Sequence, residues 1–194
     1  MTEIELIKQI REKTSLSFKD IKNAITTVGG DEEKVIKYLR EQGALKNQSR
    51  SDRATTQGGL FTYNHENRLV VVVEIRSETD FVSRSDIFKS LGNDLALHAA
   101  AYSPKCYAKT SVDEEFISKE LDIFRTQLLA EGKNEDMIQK ILLGKRNKLI
   151  EEVAMESQPF LKDSTISVGD YVTTISQETG EKIVVTNLSI FSLT

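Results

Sequence analysis

With one cysteine, Cys106, the chain has no internal disulfide, and it suits a reducing compartment. Two histidines, His65 and His98, are too few for a His-rich metal centre. No apolar stretch approaches the roughly 20 residues that a membrane span requires. Net charge is only −4, with cations and acids nearly balanced, which argues against a general nucleic-acid binder. Residues 1–15 hold Glu3, Glu5 and Glu12 and no apolar run, unlike a signal or transit peptide. The pattern G-x-x-x-x-G-K-[ST] is missing, as are C-x-x-C and H-E-x-x-H, so no phosphate cradle, paired-thiol or zinc-protease motif is written here. What remains is a 194-residue chain with 39% hydrophobic residues, enough for one good core and a small satellite domain.

Periodicity divides the chain into three parts. Residues 1–45 read as three short helices forming a satellite domain. Thr2 and Glu5 make a capping box for the first helix, whose apolar set is Leu6, Ile7 and Ile10. Ser17 and Asp20 repeat the box, and Ile21, Ala24, Ile25 and Val28 follow at helical spacing before Gly29 and Gly30. Asp31 caps the third helix, Val35, Ile36 and Leu39 line its inner side, and Gly43 is expected to stop it. Residues 46–58 are polar and basic without an apolar period and read as a linker rather than a phosphate-binding arm. Residues 59–194 read as an α+β core. A hairpin spans 59–76 around Asn64, His65, Glu66 and Asn67. Its second strand is apolar on both faces and therefore central. A helix over about 85–102 presents Phe88, Leu91, Leu95 and Ala99 on one face and ends before Pro104. Two long helices over about 113–155 form a hairpin, with Ile117, Leu121, Phe124 and Leu128 facing Met137, Ile138, Ile141, Leu142, Leu149 and Val153. A short helix follows Ser167, with Asp170 in box position, and residues 182–187 form a strand.

Candidate chemistry is sparse. Cys106 has no neighbouring histidine to activate it. His98, one turn after Asp94, reads as a helix-surface or boundary residue. The pairs Glu114, Glu115 and Glu151, Glu152 read as solvated faces. Glu78 and Asp80 could be imagined as general acid and base, but neither has an obvious neighbour to shift its pKa, and Asp80 could simply cap the coming helix. Phe81 has two readings. It precedes Phe88 by seven, so a helix extended backwards would bury both on one face. Yet Ser77, Glu78, Thr79, Asp80, Ser83 and Arg84 make the segment a poor core element. An aromatic on a polar junction is a natural wedge for a partner's pocket.

The run Glu78, Thr79, Asp80, Phe81, Val82, followed by Phe88, Leu91, Asp94, Leu95, Ala96, Leu97, His98 and Pro104, resembles the elongation factor Ts family. The N-terminal set adds Ile10, Arg11, Glu12, Lys13, Thr14, Asp20, Lys22, Ala24, Gly30, Asp31, Leu39, Arg40 and Gly43. Gln158, Pro159, Phe160, Leu161, Lys162 and Asp163 resemble a further segment of the same family. The sequence departs from the family pattern at Ser15, Leu16 and Ser17, at Ile21, at Arg76 and Ser77, and at Thr186, Asn187 and Leu188.

The resemblance implies a UBA-like N-terminal domain, a linker and an α+β core containing a helical hairpin. Its short form, which this length matches, implies a homodimer. It also implies a guanine-nucleotide exchange factor, without covalent chemistry, cofactor or metal of its own. The expected partner is elongation factor Tu, GDP-bound and nucleotide-free, with no membrane and no direct nucleic-acid binding. By resemblance, Thr79, Asp80, Phe81 and Val82 enter the partner near its Mg²⁺ and dislodge it, and Leu39 and Arg40 make secondary contacts. The implied compartment is the bacterial cytoplasm, or a plastid stroma if the chain is organelle-encoded. Two rival readings are a UBA-like binding module on an unrelated core and a small hydrolase using Glu78 or Asp80.

Overall fold

The computed structural model describes residues 2–14, 18–48 and 52–193. Helix α1 is Glu3–Thr14, α2 Phe18–Val28 and α3 Glu32–Gln48. Thr2 and Glu5 close the expected box reciprocally. The Thr2 amide donates to Oε2 of Glu5 at 2.7 Å, and the Glu5 amide donates to Oγ1 of Thr2 at 3.3 Å. The Ser17 half of the second box lies outside the described residues. Gly29 turns left-handed (φ 86°) between α2 and α3, where a Cβ would be strained, and Asp31 accepts from the Lys34 amide to start α3. Leu6, Ile7, Ile10, Ile21, Ala24, Val35 and Leu39 form a small shared core. Gly43 does not stop α3, which runs through it to Gln48. One glycine costs a helix only about 1 kcal/mol, and Val35 and Leu39 anchor this one by burial.

The core holds an antiparallel sheet in the order β1-β2-β5, with β1 Gln57–His65, β2 Leu69–Ser77 and β5 Val184–Ser192. β2 is central, as its two-sided apolar run predicts. β1 begins at Gln57, earlier than expected, because Gly58 fits close against β2. A Cβ there would meet the Ile75 carbonyl oxygen at 2.2 Å. Glu66 and Asn67 take positive φ in the hairpin turn (50° and 58°), and the Asn64 side chain accepts from the Asn67 amide. β5 extends well beyond the expected 182–187. Its register slips between Glu74 and Ile75, so that Asn187 faces Glu74, Val185 faces Ile75 and Thr186 is left over as a bulge. The strand then continues along β2, with Leu188 and Ile190 packed inward and Phe191 outward.

Two helices join β2 to the rest: α4, Asp80–Arg84, and α5, Asp86–Tyr102. Phe88, Leu91, Leu95 and Ala99 of α5 are fully buried, as expected, against Val71, Val73 and Ile75 of β2. The Phe61 ring from β1 meets Phe88 edge-on at 5.8 Å and lies over Gly92. The helical hairpin follows as α6 Glu114–Ala130 and α7 Glu135–Val153. Gly132 (φ 75°) and the Asn134 cap on the Met137 amide form its tip. Ile117 and Ile138 are buried in its seam, while Met137 is exposed, because neighbouring helical residues point about 100° apart and Ile138 takes the inward direction. A small ribbon, β3 Pro159–Phe160 and β4 Asp163–Ser167, leads into α8, Val168–Thr179, which opens with the expected Ser167 and Asp170 capping box. The layers therefore run sheet, α5, α8, α3.

His98 overturns its surface assignment: it is fully buried. The Leu161 amide can only donate, so Nδ1 accepts from it at 3.2 Å. Nε2 then carries the proton and donates to Oε1 of Gln158 at 3.0 Å. Gln158 in turn donates to the Glu152 carbonyl. The imidazole stacks on Tyr102 at 4.6 Å and faces Phe160, which stacks on Tyr171 at 4.3 Å. Asp94, one turn earlier, is held by Lys162 at 2.6 Å and by the Tyr171 hydroxyl at 3.0 Å.

Two outcomes are expected. An alanine Cβ at Gly92 would lie 2.2 Å from the Phe61 ring, so Gly92→Ala should lower unfolding free energy by about 1–3 kcal/mol in urea melts. Adding Phe61→Leu should return part of the loss. For His98, burial lowers the imidazole pKa below 6.5 despite the Gln158 hydrogen bond. Its contribution is complete above the unfolded value. Stability should then fall with pH, by up to about 1.4 kcal/mol per unit, as the unfolded chain takes up a proton that the folded chain refuses. Urea midpoints of the wild type should decline more steeply between pH 7 and 5.5 than those of His98→Gln.

Candidate functional site

The junction between β2 and α5 brings all four predicted exchange residues together on the short α4. Ser77, the last residue of β2, is buried and donates its hydroxyl to the Thr79 carbonyl at 3.1 Å. Glu78 pairs with Arg53 at 3.2 Å and accepts from the Lys182 amide at 2.6 Å. Its oxygens are thus engaged in holding chain segments together, an arrangement unlike that of a free general base. Thr79 takes the extended N-cap conformation but makes no side-chain cap. Its hydroxyl donates instead to Oε1 of Glu181 at 2.5 Å, and its amide to Oε2 at 3.0 Å.

Asp80 forms the first turn of α4 and pairs with Arg84 at 3.4 Å, the arginine exposed and the carboxylate half-exposed. It does not cap the longer helix: Ser85 does, accepting from the Phe88 amide at 3.3 Å. Ser85 is extended (φ −67°, ψ 153°), so the helical phase restarts there. The seven-residue spacing from Phe81 to Phe88 therefore does not place the two rings on one face. Val82 turns inward onto the main core, while Phe81 is 86% exposed, the highest value among the large hydrophobic residues of the described chain. An isolated exposed apolar side chain is ordinary; an exposed phenylalanine on a tethered five-residue helix is a pre-shaped knob.

The two secondary residues lie elsewhere. Leu39 is only 6% exposed and belongs to the core of α1–α3. Arg40 is exposed at the rim of a cleft of about 640 Å³ between α1, α3 and α8, near Asp163. Across that cleft, partial burial raises the Glu178 carboxyl pKa. Thr165 hydrogen bonds hold Asp163 below the ordinary carboxylate range.

Cys106 donates to the Ala108 carbonyl, and burial with the nearby Glu156 charge raises its pKa, which disfavours a thiolate. Among the described residues, no group of three or more His, Cys, Asp or Glu side chains could hold a metal ion. No described helix is long and apolar enough to cross a membrane. The supports that sequence reasoning missed are Arg53 and Glu181. Glu181 lies 102 residues from Thr79, and nothing in either local sequence announces the pairing.

The architecture is an α+β core with an exposed aromatic on a short helix beside a three-helix unit. A family model described as elongation factor Ts matches residues 3–193. Proteins called elongation factor Ts align over nearly the whole chain. That of Maridesulfovibrio salexigens is 39% identical over 180 residues, covering 92% of this chain and 87% of its own length. That of Koribacter versatilis is 39% identical over 188 residues, covering 96% and 86%. That of Solibacter usitatus is 40% identical over 189 residues, covering 97% and 89%. The chain belongs to the elongation factor Ts family.

Proposed function

We propose that this protein is a guanine-nucleotide exchange factor that binds GDP-bound elongation factor Tu and promotes GDP release. The observation that carries the reading is the 86% exposed Phe81 ring, fixed on α4 in a member of the elongation factor Ts family. The partner's Mg²⁺ demands near-ideal octahedral geometry, so small displacements of its surroundings weaken it sharply. Phe81 wedges between partner elements near that ion, Asp80 positions the segment, Thr79 and Val82 seat it, and GDP loses its metal. The three-helix unit α1–α3 grips another face of the partner through α3, with Arg40 as the exposed contact. GDP must weaken this protein's binding by the factor with which this protein weakens GDP's. GTP then replaces it, and no covalent bond changes. The protein acts in the compartment that holds its partner, the bacterial cytoplasm or a plastid stroma.

The reading includes a homodimer. α5 covers only one face of the sheet. The other presents Leu60 from β1, Val70 and Val72 from β2 and Phe191 from β5, with register pairs Leu60–Glu74 and Val70–Phe191 placing them on that face. Leu60 and Phe191 are 69% and 63% exposed. A second copy laid on this face buries it with two-fold symmetry.

Release of a fluorescent GDP analogue from elongation factor Tu is the direct test. Wild type should accelerate it. Phe81→Ala should keep its melting temperature and slow stimulated release at least about tenfold, equivalent to ~1.4 kcal/mol of coupling. Unchanged stimulation by Phe81→Ala refutes the wedge. Sedimentation tests the dimer: the wild type should weigh two chains at micromolar concentration and Phe191→Asp one. A wild type of one-chain mass removes the dimer from the reading.

A further inference from the structure

We propose that Glu181 is a positioning residue for nucleotide exchange: it fixes the direction of the Phe81 wedge by clamping the N-terminus of α4. This rests on the exchange reading above. Both Glu181 carboxylate oxygens are committed to Thr79, one to its hydroxyl at 2.5 Å and one to its amide at 3.0 Å. A hydroxyl at an N-cap ordinarily accepts from the helix that it starts. Here it donates away, so the start of α4 is held from outside.

Glu181 is itself held. Gly180 ends α8 in a left-handed turn (φ 75°), directing the chain back toward the end of β2. The Ser176 hydroxyl donates to the Glu181 carbonyl, and the next amide, of Lys182, donates to Glu78 at 2.6 Å. The segment from α8 to β5 therefore grips residues 78 and 79 together. Phe81, two residues on and 86% exposed, has little packing of its own, so its direction is that of α4. Losing the clamp should leave the core intact while letting α4 pivot about Val82.

Fluorescent GDP release from elongation factor Tu is measured over a titration of each full-length variant, giving a maximal rate and a half-saturating concentration. Glu181→Ala should lower the maximal rate about fivefold, the scale of one net hydrogen bond. The half-saturating concentration and melting temperature should change far less. Glu181→Gln, which keeps an acceptor oxygen, should recover part of the rate. Thr79→Val combined with Glu181→Ala should be no slower than the slower single variant, since both remove the same clamp. Hydrogen exchange at the Thr79 amide should quicken in Glu181→Ala. If wild type stimulates, Phe81→Ala is impaired and Glu181→Ala keeps the full maximal rate, the positioning role is wrong and the exchange reading survives. A rate loss that merely follows a lowered melting temperature also overturns it, as structural support only. If wild type gives no stimulation, the exchange reading fails; if wild type stimulates and Phe81→Ala matches it, the wedge fails; in either case the positioning role falls with it.

Discussion

Everything in the core follows from a sheet with one dry face. Val71, Val73 and Ile75 point one way from β2 and are sealed by Phe88, Leu91, Leu95 and Ala99 of α5. Each such side chain contributes about 1.5–3 kcal/mol when fully buried, so this interface fixes the relation of strand to helix. The chain must pass from the end of β2 to the start of α5 within residues 78–85, over the edge of that interface. α4 is what fits there. With Val82 spent on the core, the neighbouring Phe81 has nowhere to go but outward. The same one-sidedness leaves the opposite face, with Leu60 and Phe191, uncovered.

A second set of contacts stitches the chain across its long insertion. The base of the helical hairpin is closed by hydrogen bonds from the Lys105 amide to the Val153 carbonyl, and from the Met155 and Glu156 amides to Cys106 and Tyr107. Beyond it, Gln158, Phe160, Leu161 and Lys162 return to α5 and engage His98 and Asp94. These two blocks are among those that carry the family resemblance, and here they are one packed network. Their role is to bind the end of the insertion to the helix that covers the sheet. Conservative-looking replacements there would disturb the fold before they touched the wedge.

Local patterns announced what local forces decide. Capping residues Thr2, Asp31 and Ser167 act as expected, because a cap involves only residues three apart. The buried face of α5 and the central place of β2 follow from spacing alone. Where the outcome depended on distant residues, pattern failed. His98 looked like a boundary residue because its partner Gln158 lies 60 residues away. The seven-residue spacing of Phe81 and Phe88 offered a core reading beside the wedge, and the local break at Ser85, which serine permits without requiring, removes it. The length of β5 depended on a bulge opposite Glu74. The proposed exchange segment could be located by resemblance, whereas its hold by Glu181 depends on chain topology.

In the proposed exchange the clamp matters because a wedge is only as effective as its seat is stiff. Binding elsewhere on a partner supplies free energy, but that energy reaches the partner's metal site only if the intruding ring does not yield first. A ring on a loose loop would fold back and leave the partner's ligands in place. Here Ser77, Glu78 and Thr79 are each tied by their side chains, and Val82 anchors the far side of the short helix. The ring itself is 86% exposed, so little internal contact would be broken on entering a pocket. A rigid mount with an unencumbered tip minimises the ordering cost of docking and directs the strain outward. In the proposed exchange, reciprocity governs the result: whatever strain the wedge imposes on the partner's nucleotide, the returning nucleotide imposes on the wedge.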